Sequence, residues 1–204
     1  MDADRYVLDS VRETDRDRFL GALFAPEPAR RALLSLIAFE HELARTPHVT
    51  SEPMLARIRL QWWREAVRDA GEGRPRAQPI VESLSETMRR HTLATTGLEA
   101  VIDARETAID GPLDTVRAAA SFADLELAVL GVDDAGSRAA AREVAQARLT
   151  PDQGERDALL AASRRRTVDR RALPILLPAL ALDRSLNAWR KPLAYWWAAK
   201  RGRY

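Results

Sequence analysis

The chain has 204 residues, 46% of them hydrophobic and 30% charged, which suits one folded domain with a real core and argues against disorder. It contains no Cys, so disulfides, thiolate metal sites and a cysteine nucleophile are excluded together. The formal charge of +2 conceals an asymmetry, because residues 163–204 carry eleven Lys or Arg against Asp169 and Asp183, while 1–162 holds 21 basic and 28 acidic residues.

Ala, Leu, Arg and Glu dominate, all strong helix formers, and β-branched and aromatic residues are sparse. Pro and Gly cut the chain into helix-sized pieces. Helices are expected over 3–24 with a break near Thr14–Asp15, then 28–46, 52–70, 79–95, 97–110, 113–130, 135–148, 152–168, 170–186 and 192–201. Ser51-Glu52-Pro53, Gly111-Pro112 and Pro151-Asp152 are start signals, and Asp133-Asp134 reads as a turn and N-cap. Gly71–Pro79 is a loop, and Pro174 with Pro178 should kink the run ALPILLPALAL. The expected class is all-α, a single helical domain over 1–204. The first residues are too charged for a signal peptide, and no apolar run approaches the roughly 20 residues that span a bilayer. A cytoplasmic protein, at the inner face of the membrane if it touches one, is the expectation.

Projection of three helices places charges inside apolar faces. On 28–46 the face is Ala29, Ala32, Leu33, Leu36, Ile37, Phe39, Leu43 and Ala44, with Glu40 near its centre. On 52–70 it is Leu55, Ala56, Ile58, Leu60, Trp62, Trp63, Ala66 and Val67, with Arg59 inside it. On 97–110 Arg105 lies among Leu98, Val101, Ile102 and Ile109. A charge buried alone is costly, so these groups must be paired or face a polar cavity. One arrangement is a structural Glu40–Arg59 ion pair with Arg105 reaching to an edge. The other is a cavity whose two guanidinium groups await an anion, with Trp62 and Asp103 as further lining candidates.

No P-loop, dinucleotide fingerprint, nucleophile elbow or zinc-ligand spacing is present, and His41, His48 and His91 form no ligand pattern. They read as surface or capping residues. The C-terminal segment NAWRKPLAYWWAAKRGRY sets Leu193, Trp196 and Trp197 beside Arg190, Lys191, Lys200, Arg201 and Arg203. Aromatic residues among bases suit an interfacial membrane contact, and equally a terminal helix that packs its Trp residues inward. The basic end also admits nucleic acid, but no recognition motif is visible, so no nucleic-acid partner is expected.

The stretches AFEHELARTPHVTSEPMLARIRLQWWREAV (38–67), QPIVESLSETMRRHTLATTGLEAVIDARETAI (78–109) and ALPILLPALAL (172–182) resemble the squalene/phytoene synthase family. The likeness is closest to the branch containing the mitochondrial complex I assembly factor and its bacterial relatives, and it covers most of 5–130 and the C-terminal end. It implies the isoprenoid synthase fold, a helical bundle around a central cavity, here shortened in its second half. Active members of that family join two prenyl diphosphates head to head, with two aspartate-rich motifs holding Mg²⁺ against the diphosphates. The first motif's positions fall on Ala44 and His48, and 130–160 offers no matching acids. The resemblance therefore implies a degenerate, non-catalytic protein with no cofactor. It would bind an anionic lipid or isoprenoid diphosphate through Glu40, Arg59 and Arg105, or assist assembly of a membrane respiratory complex through a protein partner. Trp196, Trp197, Lys200 and Arg201 would contact the membrane surface. The alternative is a Mg²⁺-dependent prenyl transferase with ligands drawn from Glu40, Glu42, Asp103 and Asp133.

Overall fold

The computed structural model describes residues 2–49, 52–182, 186–187 and 189–204, with the side chains of 47–49 left out. The expected cap Ser51, the side chain of His48, and Asp183 lie outside the described residues. The helices are α1 (Ala3–Thr14), α2 (Arg16–Ala22), α3 (Glu27–Val49), α4 (Pro53–Gly71), α5 (Pro79–His91), α6 (Thr95–Thr107), α7 (Thr115–Leu130), α8 (Ala135–Leu149), α9 (Gln153–Ser163), α10 (Leu173–Leu176), α11 (Ala179–Leu182) and α12 (Lys191–Arg201). No strand occurs among the described residues.

Local chemistry sets most of these boundaries. The side chains of Asp114, Asp134 and Asp152 accept from backbone N–H groups three residues on, at 3.0, 2.7 and 2.6 Å, and so cap α7, α8 and α9. Pro53 and Pro79 open α4 and α5, where a missing N–H costs nothing. Gly131 and Gly202 end α7 and α12 in the left-handed conformation. Pro174 and Pro178 split the expected helix over 170–186 into a 3-10 turn at Arg170–Ala172 followed by α10 and α11. The expected helix over 152–168 stops early, at Ser163.

Helix α3 runs through the centre. It packs against α1, α2, α4, α5, α6 and α7, and α8 and α9 stack outward from α7. Every residue from Ala32 to Glu40 is buried, so α3 is wrapped on all sides rather than along one stripe. Phe39 meets Trp63 of α4 edge-on, 5.6 Å between ring centroids. One apolar cluster runs from Val7 to Ala179. No helix among the described residues is long and apolar enough to cross a membrane.

Two glycines permit close approach. A Cβ at Gly136, in the first turn of α8, would stand 2.0 Å from the Thr167 carbonyl oxygen. One at Gly21 would stand 2.4 Å from the Pro174 carbonyl oxygen, where α2 crosses α10. Backbone meets backbone at both places, so only glycine fits.

Candidate functional site

The break between α1 and α2 supplies the first part of an interior charge cluster. Asp15 ends α1 and caps α2, accepting from the Arg18 backbone N–H at 3.0 Å. Its other carboxylate oxygen accepts from Arg18 Nε at 2.6 Å and from Arg148 Nη2 of α8 at 3.3 Å, and lies 3.4 Å from His41 Nε2 of α3. Arg18 is 5% exposed and extends into the core, where its Nη2 donates to Glu40 Oε2 at 2.8 Å. Its guanidinium lies over the Phe122 ring of α7. Glu40 Oε1 accepts from Arg105 Nη2 of α6. Glu126 of α7, also buried, completes the group within the fields of Arg18 and Arg148.

These environments separate the three carboxyls. Burial alone would raise the Glu40 pKa, but the charges of Arg18 and Arg105 outweigh it and hold the group at about 2. Burial acts the same way on Asp15, and the His41 contact with the Arg18 and Arg148 charges drives it far below the usual carboxylate range. Glu126 goes the other way. Burial pushes it up to about 7, and the nearby arginines offset only part of that. Arg148 is lowered by burial and by the neighbouring Arg18 charge.

Sequence-derived candidates are redistributed by this geometry. Glu40 and Arg105 come together in the interior, and Arg105 does not escape to an edge. Arg59 does not pair with Glu40. It reaches Glu42 at 3.2 Å from a position 40% exposed, because Glu40 is already engaged on both oxygens. Trp62 is also part-exposed, under the Arg76 guanidinium, and Asp103 lies on the surface 2.6 Å from Arg64. The interior thus sets Arg18, Arg105 and Arg148 against the three carboxyls of Asp15, Glu40 and Glu126, instead of presenting two guanidinium groups for an anion.

The acids also fail to fit a Mg²⁺ pair. Glu40, Glu42, Asp103 and Asp133 are held apart by different arginines: Arg18 and Arg105, Arg45 and Arg59, Arg64, and Arg138. Ala44 carries no donor. Between 130 and 160, Asp134 and Asp152 are helix caps and Glu143 pairs with Arg166. Among the described residues no group of three or more His, Asp or Glu side chains converges to hold a metal ion.

Four members of the cluster escaped the helical projections. Glu126 sits among Phe122, Ala123, Val129 and Leu130 on the buried face of α7, a signal of the same kind as Glu40 on α3. Arg148 follows the buried positions of α8. Arg18 and Asp15 offered no such signal, since α2 is only seven residues long.

Helix α12 turns Tyr195 inward, so of the two arrangements open for this segment the one that packs Trp196 and Trp197 into the bundle does not hold. Tyr195 is fully buried, its hydroxyl has no partner among the described residues, and Lys191 Nζ bonds Asp17 at 2.9 Å. Trp196 and Trp197 are therefore half-exposed, 5.2 Å apart and edge-on. Lys200 lies over both rings and Arg201 over Trp197, and Leu193 and Trp189 are also exposed.

Comparison with known proteins agrees with this architecture. The model of the squalene/phytoene synthase family matches residues 11–147. "NADH dehydrogenase (ubiquinone) complex I, assembly factor 6" of Bos taurus is 30% identical over 169 residues, covering 75% of this chain and 51% of the relative. The Rattus norvegicus protein of that name is 32% identical over 155 residues, covering 72% and 46%, and the Homo sapiens one is 28% identical over 169, covering 75% and 51%. The chain spans about half the length of the curated relatives it matches. No solved structure matches it. An all-helical bundle with central α3, carrying the sequence run that this family shares, settles the matter of kinship: the chain belongs to the squalene/phytoene synthase family.

Proposed function

We propose that this chain is a non-catalytic family member that helps assemble a respiratory membrane complex by engaging a protein partner, without Mg²⁺. The observation that carries the reading is the engagement of Glu40 by Arg18 and Arg105, together with Ala44 in place of a carboxylate. A diphosphate leaves only when cations neutralise it, and Mg²⁺ needs free carboxylates facing one another. Here the nearest acids are occupied by guanidinium groups. The same pairing argues against an anionic lipid or isoprenoid diphosphate at Arg105, whose charge already has a carboxylate partner.

Two assays test the proposal. Incubation with farnesyl or geranylgeranyl diphosphate and Mg²⁺ should yield no squalene or phytoene; product above a protein-free blank overturns it. Removal of the gene should leave a respiratory complex stalled at a subassembly on native gels, and normal assembly without the gene counts equally against it.

The same reading includes peripheral contact of α12 with an anionic bilayer, supported by half-exposed Trp196 and Trp197 beneath Lys200 and Arg201. In flotation with anionic vesicles, Trp196→Ser/Trp197→Ser should stay at the bottom while the parent chain rises. Equal flotation of both removes that contact.

A further inference from the structure

On a face apart from the charge cluster, a half-open cleft of about 420 Å³ lies between the ends of several helices. Phe24 from the turn joining α2 to α3, Ala29 from the first turn of α3, Val129 and Leu130 from the end of α7, and Leu173 and Pro174 of α10 form its walls. That volume is within the range of small-molecule sites, roughly 300–1,000 Å³, and such sites combine apolar walls with a few placed polar groups.

Three polar residues line this cleft, and only one of its two arginines is paired with a carboxylate. Arg171 is bound to Asp169 at 2.7 Å. Arg170 meets no carboxylate among the described residues; its Nη2 donates to the Ala199 and Lys200 carbonyls at the end of α12, both at 3.3 Å. That contact uses one nitrogen of the guanidinium fork and leaves the others for an anion. His91, in the last turn of α5, has a buried Nε2 with no hydrogen-bond partner among the described residues, a costly arrangement that a bound polar atom would relieve. Ala199 of α12 closes the rim.

We propose that this cleft binds a long-chain carboxylate, with the aliphatic chain along the Phe24, Val129 and Leu173 walls and the carboxylate on Arg170. Charge complementarity selects the head group. One unmatched guanidinium balances one negative charge, and a planar carboxylate meets its fork bidentately. The inference does not depend on the proposed assembly role, and it shares with the proposed membrane contact only the backbone of Lys200.

Isothermal titration with sodium oleate, below the concentration at which oleate aggregates, tests it. The parent chain should bind with one-to-one saturation. Arg170→Gln, at an exposed rim position, should weaken binding roughly tenfold, and Ala199→Phe, which narrows the mouth, should do so at least as strongly. Oleyl alcohol, with the same chain and no charge, should bind about tenfold more weakly than oleate. Non-saturating oleate uptake, or equal affinity in parent and Arg170→Gln, overturns the proposal. So does tighter binding of oleoyl lysophosphatidate than of oleate, which would make the anion a phosphate. Should Ala199→Phe melt early, Arg170→Gln decides alone.

Discussion

Arg18 of α2 and Glu40 of α3 stand 22 positions apart in the chain and meet in the core at 2.8 Å, both nearly out of contact with water. Each has a second partner, Arg105 for Glu40 and Asp15 for Arg18, but removing Arg18 strips one charge partner from two buried carboxylates at once. Arg18→Met should therefore cost about 3–5 kcal/mol in urea-induced unfolding. Arg59→Met, which breaks only a part-exposed contact to Glu42, should cost less than about 1 kcal/mol. Similar losses for the two substitutions would contradict the assignment of Glu40 to Arg18.

Glu126 should make stability depend on pH in a definite direction. Its folded pKa of about 7 lies above the ordinary value of 4.5, so between those values the folded chain binds more protons than the unfolded one. This contribution falls as pH rises through that window. Glu40, held at about 2, acts oppositely and loses its contribution as pH drops from 4.5 toward 2. Glu126→Gln should flatten the stability profile between pH 5 and 7 and raise stability at pH 8 by roughly 1–3 kcal/mol. Melting curves across pH check this, and an unchanged slope would rule it out.

The Tyr195 hydroxyl is buried with no partner among the described residues, whereas its ring is fully packed. Tyr195→Phe should leave stability unchanged or raise it by up to about 1 kcal/mol, since a desolvated hydroxyl is removed with the packing intact. Tyr195→Ala should cost about 3–5 kcal/mol and loosen α12, seen as faster amide exchange over 191–201. A destabilising Tyr195→Phe would mean that the hydroxyl has an unrecognised partner.

Gly136→Ala places a methyl against the Thr167 carbonyl oxygen. Although alanine favours helices, the forced backbone shift should dominate and lower stability by about 1–3 kcal/mol. Gly154→Ala, in the first turn of α9 with only a 3.4 Å neighbour, is the control and should be near neutral. A neutral Gly136→Ala would show that the α8 contact can yield.

Helix ends were legible in advance because caps and prolines act within a few residues: Asp134, Asp152, Pro53 and Pro174 all mark boundaries where the residue type requires them. Glu40 and Arg105 were legible as anomalies because α3 and α6 are long enough to define a face. Their partners were not, since a pairing across 65 positions depends on how helices pack. Arg59 was misplaced for a related reason. The apolar surface of α4 is wider than its buried part, and exposed Leu55, Ile58 and Trp62 drew Arg59 into an apparent core face. Arg18 was missed because the stretch DRDRF, read alone, looks solvated.

The interior cluster uses arginine for every full-time cation. A guanidinium keeps its proton at any pH a cell reaches, so Arg18, Arg105 and Arg148 act as fixed charges and only the acids can change state. Protonation of Glu126 leaves one positive charge unmatched. The heart of this bundle is an electrical rectifier: acid can bias it toward positive, and no physiological condition can bias it toward negative.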